Sequence, residues 1–200
     1  MKKLMLAVSV MMSLNVEAKP KVDKVSEDNV FYVYQDKGSK KNHFIPSGWM
    51  GSTRGMKLDD AWKSDCLDGL TCIKLTYDPK NSQDGWHGLF WQATPNNWGN
   101  KTGGYNLKGY KRLTFWARAD QENVTINEFK VGGIKGEVSI DTDDVSIGPI
   151  TLAQDWKKYE IDLTDKNLEH INGGFCYATA DNVIPEKGMT MFLDEIRYEK

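Results

Sequence analysis

The chain has 200 residues, 40% of them hydrophobic, and carries 7 Trp, 8 Tyr and 7 Phe, enough apolar material for the core of one domain. Its 26 basic and 28 acidic residues leave a net charge of −2. That balance offers no strong field for DNA or an acidic membrane and argues against binding driven by phosphate neutralisation.

Lys2 and Lys3 precede an apolar run over residues 4–14, closed by Val16-Glu17-Ala18. A charged start, a short apolar stretch and small residues at the −3 and −1 positions read as a secretory signal peptide over residues 1–18. The run is well short of the ~20 residues needed to span a bilayer. No Cys follows it to take a lipid anchor. The expected product begins at Lys19 and is a soluble, monomeric, secreted or periplasmic protein without stable membrane insertion. Residues 19–29 form a polar, Lys-rich lead-in, and residues 30–200 form one domain.

Within that domain, short segments rich in aromatic and β-branched residues recur at 31–34, 72–77, 86–92, 110–119, 124–131, 156–163, 175–179 and 190–198. Turn-formers separate them, among them Pro79-Lys80-Asn81-Ser82, Gly103-Gly104 and Gly132-Gly133. Many short strands with such punctuation predict an all-β fold, an antiparallel sandwich or barrel. Residues 58–64 could supply one helical turn. Along residues 112–118, Leu113, Phe115 and Ala117 share one face, and Arg112, Thr114, Trp116 and Arg118 share the other. The second set reads either as a wet binding surface or as a Trp covering the sheet edge.

Cys66 and Cys72 bracket a turn-forming Asp68-Gly69. In an oxidising compartment this spacing predicts a local disulfide, the alternative being two unpaired thiols. Cys176 is left over and reads as a small buried residue.

Three stretches resemble a known family. They are Gly109-Tyr110-Lys111-Arg112-Leu113-Thr114-Phe115-Trp116-Ala117-Arg118, Asp155-Trp156-Lys157-Lys158-Tyr159-Glu160-Ile161-Asp162-Leu163 and Thr190-Met191-Phe192-Leu193-Asp194-Glu195-Ile196-Arg197-Tyr198. In this order they resemble the central, following and closing strands of the galactose-binding-like, jelly-roll carbohydrate-binding modules. The resemblance implies a jelly-roll β-sandwich and a glycan ligand. It also implies a structural Ca²⁺ bound by Asp194 of the closing strand with an acid near the first strand, Asp36, or else Asp59 or Asp60. Ca²⁺ prefers 6–8 oxygen ligands, so carbonyls would have to complete the set. The alternative is that Asp194 caps backbone N–H groups.

The sequence shows no catalytic constellation. Gly51-Ser52-Thr53-Arg54-Gly55 is not a nucleophile elbow, and His43, His87 and His170 stand isolated along the chain. Binding is better supported. A sugar presents a flat C–H face and a rim of hydroxyls, so its receptor needs an aromatic plate flanked by hydrogen-bonding groups. Trp91, Trp98 and Trp116 are the candidate plates, with His87, Gln92, Arg118, Glu128 and Lys130 around them on a concave sheet, the alternative being that about half of these Trp belong to the core. Trp49 either stacks on the sugar or pins its loop. The expected function is non-catalytic binding of a polysaccharide or oligosaccharide. The rival readings are a glycoside hydrolase or polysaccharide lyase on the same fold and a protein-docking module.

Overall fold

The computed structural model describes residues 18–200, so the expected signal peptide lies, but for Ala18, outside the described residues. No helix among the described residues is long and apolar enough to cross a membrane.

Thirteen strands form among these residues: β1 (Val30–Tyr34), β2 (Ile45–Gly51), β3 (Met56–Trp62), β4 (Cys72–Tyr77), β5 (Trp86–Gln92), β6 (Arg112–Ala119), β7 (Thr125–Ile126), β8 (Glu128–Gly132), β9 (Asp144–Ile147), β10 (Ile150–Thr151), β11 (Lys157–Asp162), β12 (Gly173–Ala180) and β13 (Met189–Glu199). The first sheet runs β11-β6-β13-β4-β3, with β1 also pairing β13. The second runs β2-β5-β12-β8-β9, and β7 and β10 make a separate pair. All strand pairs are antiparallel. The chain passes back and forth between the two sheets, and the fold is a jelly-roll β-sandwich.

The period-2 pattern explains which faces meet. Leu113, Phe115 and Ala117 of β6 are fully buried. The Phe115 ring lies 4.6 Å from Phe129 and 5.1 Å from Phe175 of the opposing sheet. Each such ring removed from water stabilises the sandwich by about 1.5–3 kcal/mol. In β13 a bulge at Asp194-Glu195, with Glu195 at φ 48°, shifts the alternation by one residue. Leu193 and Ile196 therefore both face the core, while Asp194 and Arg197 turn outward.

Residues 58–64 are not a helical turn. Residues 56–62 form the edge strand β3, because Met56, Lys57, Leu58 and Asp59 pair in register with residues 74–77 of β4. Cys66 and Cys72 are joined, with Cα atoms 5.4 Å apart, and Cys176 is free and buried. The disulfide pins the loop between β3 and β4 over the outer face of the first sheet, where Cys66 and Leu67 pack on Trp116, Trp156 and Phe192. The lead-in crosses the same side: the Asp23 carboxylate accepts from Lys158 Nζ and the Asp23 carbonyl accepts from Arg197 Nη2.

Candidate functional site

The outer face of the second sheet is built from rows of residues that strand register sets side by side. One row runs Met50, Gly88, Ala178, Glu128 across β2, β5, β12 and β8. The next runs Gly48, Phe90, Cys176, Lys130, Ser146 into β9. On the other side of the first row, Trp86 stands opposite Ala180. Glycine and alanine make the middle of this face low. A Cβ on Gly88 would come within 2.7 Å of the Tyr177 carbonyl oxygen and 2.8 Å of the Met50 methyl, so only glycine fits there.

Two half-exposed indoles bound this floor. Trp86 is 39% exposed and Trp98 is 41% exposed. Trp86 and Phe90 are four residues apart on one strand face, about 13 Å along the strand. The Trp98 ring meets Phe90 edge-on at 5.9 Å. The two plates thus stand at opposite ends of a shallow, apolar-floored trough.

Trp98 is held in place by its loop. Asn97 is fully buried. Its side chain accepts from Gly99 N and Lys101 N and donates to the Lys101 carbonyl. Its own carbonyl accepts from Gln92 Nε2 at 3.0 Å and Asn172 Nδ2 at 2.8 Å. Ser47 ties the neighbouring residue in, accepting from Asn96 N while donating to Gln92. Val138 N and Ser139 N donate to the Gly99 carbonyl, which fastens a second loop alongside.

The charges lie along β8 and β9. Lys130 pairs with Asp144 at 2.8 Å. Burial works against its ammonium, but the Asp144 carboxylate outweighs that and holds the Lys130 pKa above its ordinary value. Glu128, with no ion-pair partner among the described residues, lines the floor beside Ala178. The trough therefore has two plates, a flat floor, one carboxylate and a neutralised cation, a set suited to stacking and hydrogen bonding.

Several expected residues lie elsewhere. His87 and Trp91 are core residues, a correction with a simple cause: they alternate with Gly88 and Phe90 and share the inward face with Leu89. His87 stacks on Tyr77 at 3.6 Å, and both its ring nitrogens are buried without partners among the described residues. Burial pushes its imidazole down to about 4, and Asp181, 3.9 Å away, offsets this only in part. Trp116 and Arg118 do lie on an outer face, but that of the first sheet. Trp116 is buried there beneath the disulfide loop, beside Trp156 and Phe192. Trp49 stands opposite Leu89 on the core-facing side of β2 and is half-exposed because β2 is an edge strand. Trp98, Glu128 and Lys130 share the trough. Trp86 is the plate the sequence reading passed over, although strict alternation from Leu89 places it outward.

Asp36 and Asp194 both reach the disulfide loop. Asp36 Oδ1 accepts from Leu70 N and Thr71 N at 2.7 Å each. Asp194 Oδ2 accepts from Leu67 N at 3.0 Å and Asp68 N at 3.2 Å, and Oδ1 from Glu195 N. Burial, together with the adjacent Glu195, raises the Asp194 carboxyl to about 8, against the pull of those N–H groups. No group of three His, Cys, Asp or Glu side chains converges on a metal position among the described residues.

No protein-family profile matches the sequence, and no curated protein matches it. The fold does have solved counterparts. A crystal structure of a family 30 carbohydrate-binding module superposes with a TM-score of 0.54 at 12% identity, covering 85% of this chain and 87% of that one. The family 30 module of the cellulosomal cellulase Cel9D-Cel44B of Clostridium thermocellum superposes with a TM-score of 0.51 at 12% identity, covering 86% and 97%. The architecture is that of the carbohydrate-binding-module jelly roll. The likeness is one of fold, across nearly the whole length of both chains.

Proposed function

We propose that this protein is an exported, monomeric, non-catalytic glycan-binding module that holds a polysaccharide or oligosaccharide across the outer face of its second sheet. The observation that carries this reading is the trough itself: Trp86 and Trp98, half-exposed at either end of a floor of Gly88 and Ala178. An open trough leaves most of a sugar hydrated. Two stacking contacts add about 0.5–1.5 kcal/mol each beyond area burial. Exchangeable hydrogen bonds net roughly 0.5–1.5 kcal/mol apiece. After the cost of association, these give about −4 to −7 kcal/mol, or millimolar to ~10 μM.

Incubation with a panel of polysaccharides, scoring both retention and newly released reducing ends, tests this. Retention without release is the expected result. Release would make the protein an enzyme, a glycoside hydrolase or polysaccharide lyase, and failure to bind any glycan would leave protein docking.

The calcium that the fold resemblance implies has a substitute in this reading. Asp36 Oδ1 and Asp194 Oδ2 meet N–H donors of the disulfide-closed loop, a set that does not fit a cation, which needs oxygen donors around it. We read the two acids as anchors for that loop.

A further inference from the structure

The outer face of the first sheet carries a guanidinium, which the trough lacks. Arg118 lies there with its guanidinium carbon 4.0 Å from the Phe192 ring centre and 5.4 Å from that of Trp156. A guanidinium presents five N–H donors in a rigid fork. Its one ion-pair acceptor among the described residues is Asp65, 3.0 Å from Nη2. Its Nε is buried with no partner among those residues. The other oxygen of the same carboxylate takes Lys19 Nζ at 2.7 Å. One acid side chain thus bridges two cations at the wall of a cavity of about 590 Å³, lined by Lys19, Asp65, Arg118, Gln154, Asp155 and Trp156 among others.

Asp65 is a replaceable occupant. Its side chain is 55% exposed, and an exposed ion pair contributes little. The backbone around it is held by other means. Its carbonyl accepts from Trp156 Nε1 at 3.1 Å, and the next residue is the disulfide-bonded Cys66. The carboxylate can therefore turn away while the loop stays in place.

We propose that this cleft is a second ligand site, which takes the carboxylate of a uronic-acid sugar in place of the Asp65 carboxylate. The Arg118 fork matches a carboxylate in two parallel hydrogen bonds, and Lys19 supplies the second charge. Gln154 and Asp155 are placed to bond ring hydroxyls, and Trp156 provides an apolar wall. The cavity volume lies within the range of small-ligand sites, roughly 300–1,000 Å³. The cleft is on the sheet opposite the trough and does not depend on it.

Titration with a galacturonate trisaccharide, followed by NMR on the Trp156 indole N–H and the Arg118 Nε–H, tests the proposal. Saturable shifts are expected that weaken as salt rises, because charge carries the binding. Arg118→Gln should lower the affinity about tenfold or more, the cost of losing a charged hydrogen-bond partner. Neutral-glycan binding at the trough should be unchanged in that variant. Asp65→Asn should tighten uronate binding several-fold, because the internal competitor is gone, and this variant decides the matter if Arg118→Gln does not fold. Equal shifts with a neutral trisaccharide or an acetylated dipeptide would overturn the assignment. So would an absence of shifts, or an affinity that Asp65→Asn leaves unchanged or lowers.

Discussion

Trp86 and Trp91 lie on one strand with opposite duties, because an odd separation in β5 puts them on opposite faces. Trp86 is half-exposed, whereas Trp91 packs at 5.4 Å against Phe175 in the core. Trp86→Ala should leave a cooperatively folded protein whose glycan affinity falls about tenfold, the worth of one stacking plate with its buried area. Isothermal titration read beside thermal unfolding checks this. Trp91→Ala should instead cost about 3–5 kcal/mol of stability through the cavity it leaves. A Trp86→Ala protein that binds normally would move the site off this face.

The loop that carries Trp98 derives its rigidity from Asn97. That buried side chain satisfies backbone groups of Gly99 and Lys101, and the residue's carbonyl satisfies Gln92 and Asn172. Asn97→Ala removes the acceptor of the buried Gly99 N–H, costing about 1–3 kcal/mol when unpaired, and of the part-buried Lys101 N–H. The expected result is faster amide exchange over residues 96–101 and weaker glycan binding with β5 and β12 still protected. Intact protection in the loop would refute this account of how Trp98 is presented. The disulfide loop works similarly on the other sheet. Cys66→Ser with Cys72→Ser should lower stability by roughly 2–2.5 kcal/mol in the chain-entropy model and expose Trp116, read as a red shift in Trp emission.

Three buried groups, Asp194, Glu195 and His87, set how stability depends on pH. Asp194, raised to about 8, is bound to its proton in the folded state at pH values where an unfolded Asp is ionised. Its contribution is present below about pH 4 and erodes as pH rises through 8. His87, lowered to about 4, works the other way, contributing above its unfolded value near 6.5 and losing this as pH falls. Glu195, raised to about 7 by burial, acts in the same sense as Asp194. Between about pH 5 and 6.5 His87 offsets only one of the two carboxyl slopes, so stability should fall by about 2 kcal/mol, and from 7 to 8 Asp194 acts alone and removes about 1.4 kcal/mol more. Denaturant unfolding at several pH values measures this, and Asp194→Asn should flatten the fall. If Asp36 and Asp194 anchor the loop through N–H groups, chelation by EDTA should leave Tm unchanged. A drop in Tm restored by Ca²⁺ would contradict that reading.

The alternation of apolar residues, with its turn punctuation, determined the all-β class, because one face of each strand must be dry, while the choice of a jelly-roll sandwich over a barrel came from the resemblance of three strands. It also separated Leu113, Phe115 and Ala117 from Trp116 and Arg118 correctly, since both sets follow from a period of two. The Cys66–Cys72 link was equally legible, as a local pairing across one turn needs no long-range information. What period alone does not record is what lies above an outward face. Trp116 points away from the core and is nevertheless buried, because a loop closed by a disulfide and Trp156 cover it. Nor does it say which sheet a strand joins, and for that reason Arg118 and Lys130 ended on opposite sides of the molecule. The trough exists only because register aligns Met50, Gly88, Ala178 and Glu128 from four strands distant in sequence. Those pairings are set by the packing of the whole sandwich, so the tertiary structure decides which aromatics face solvent.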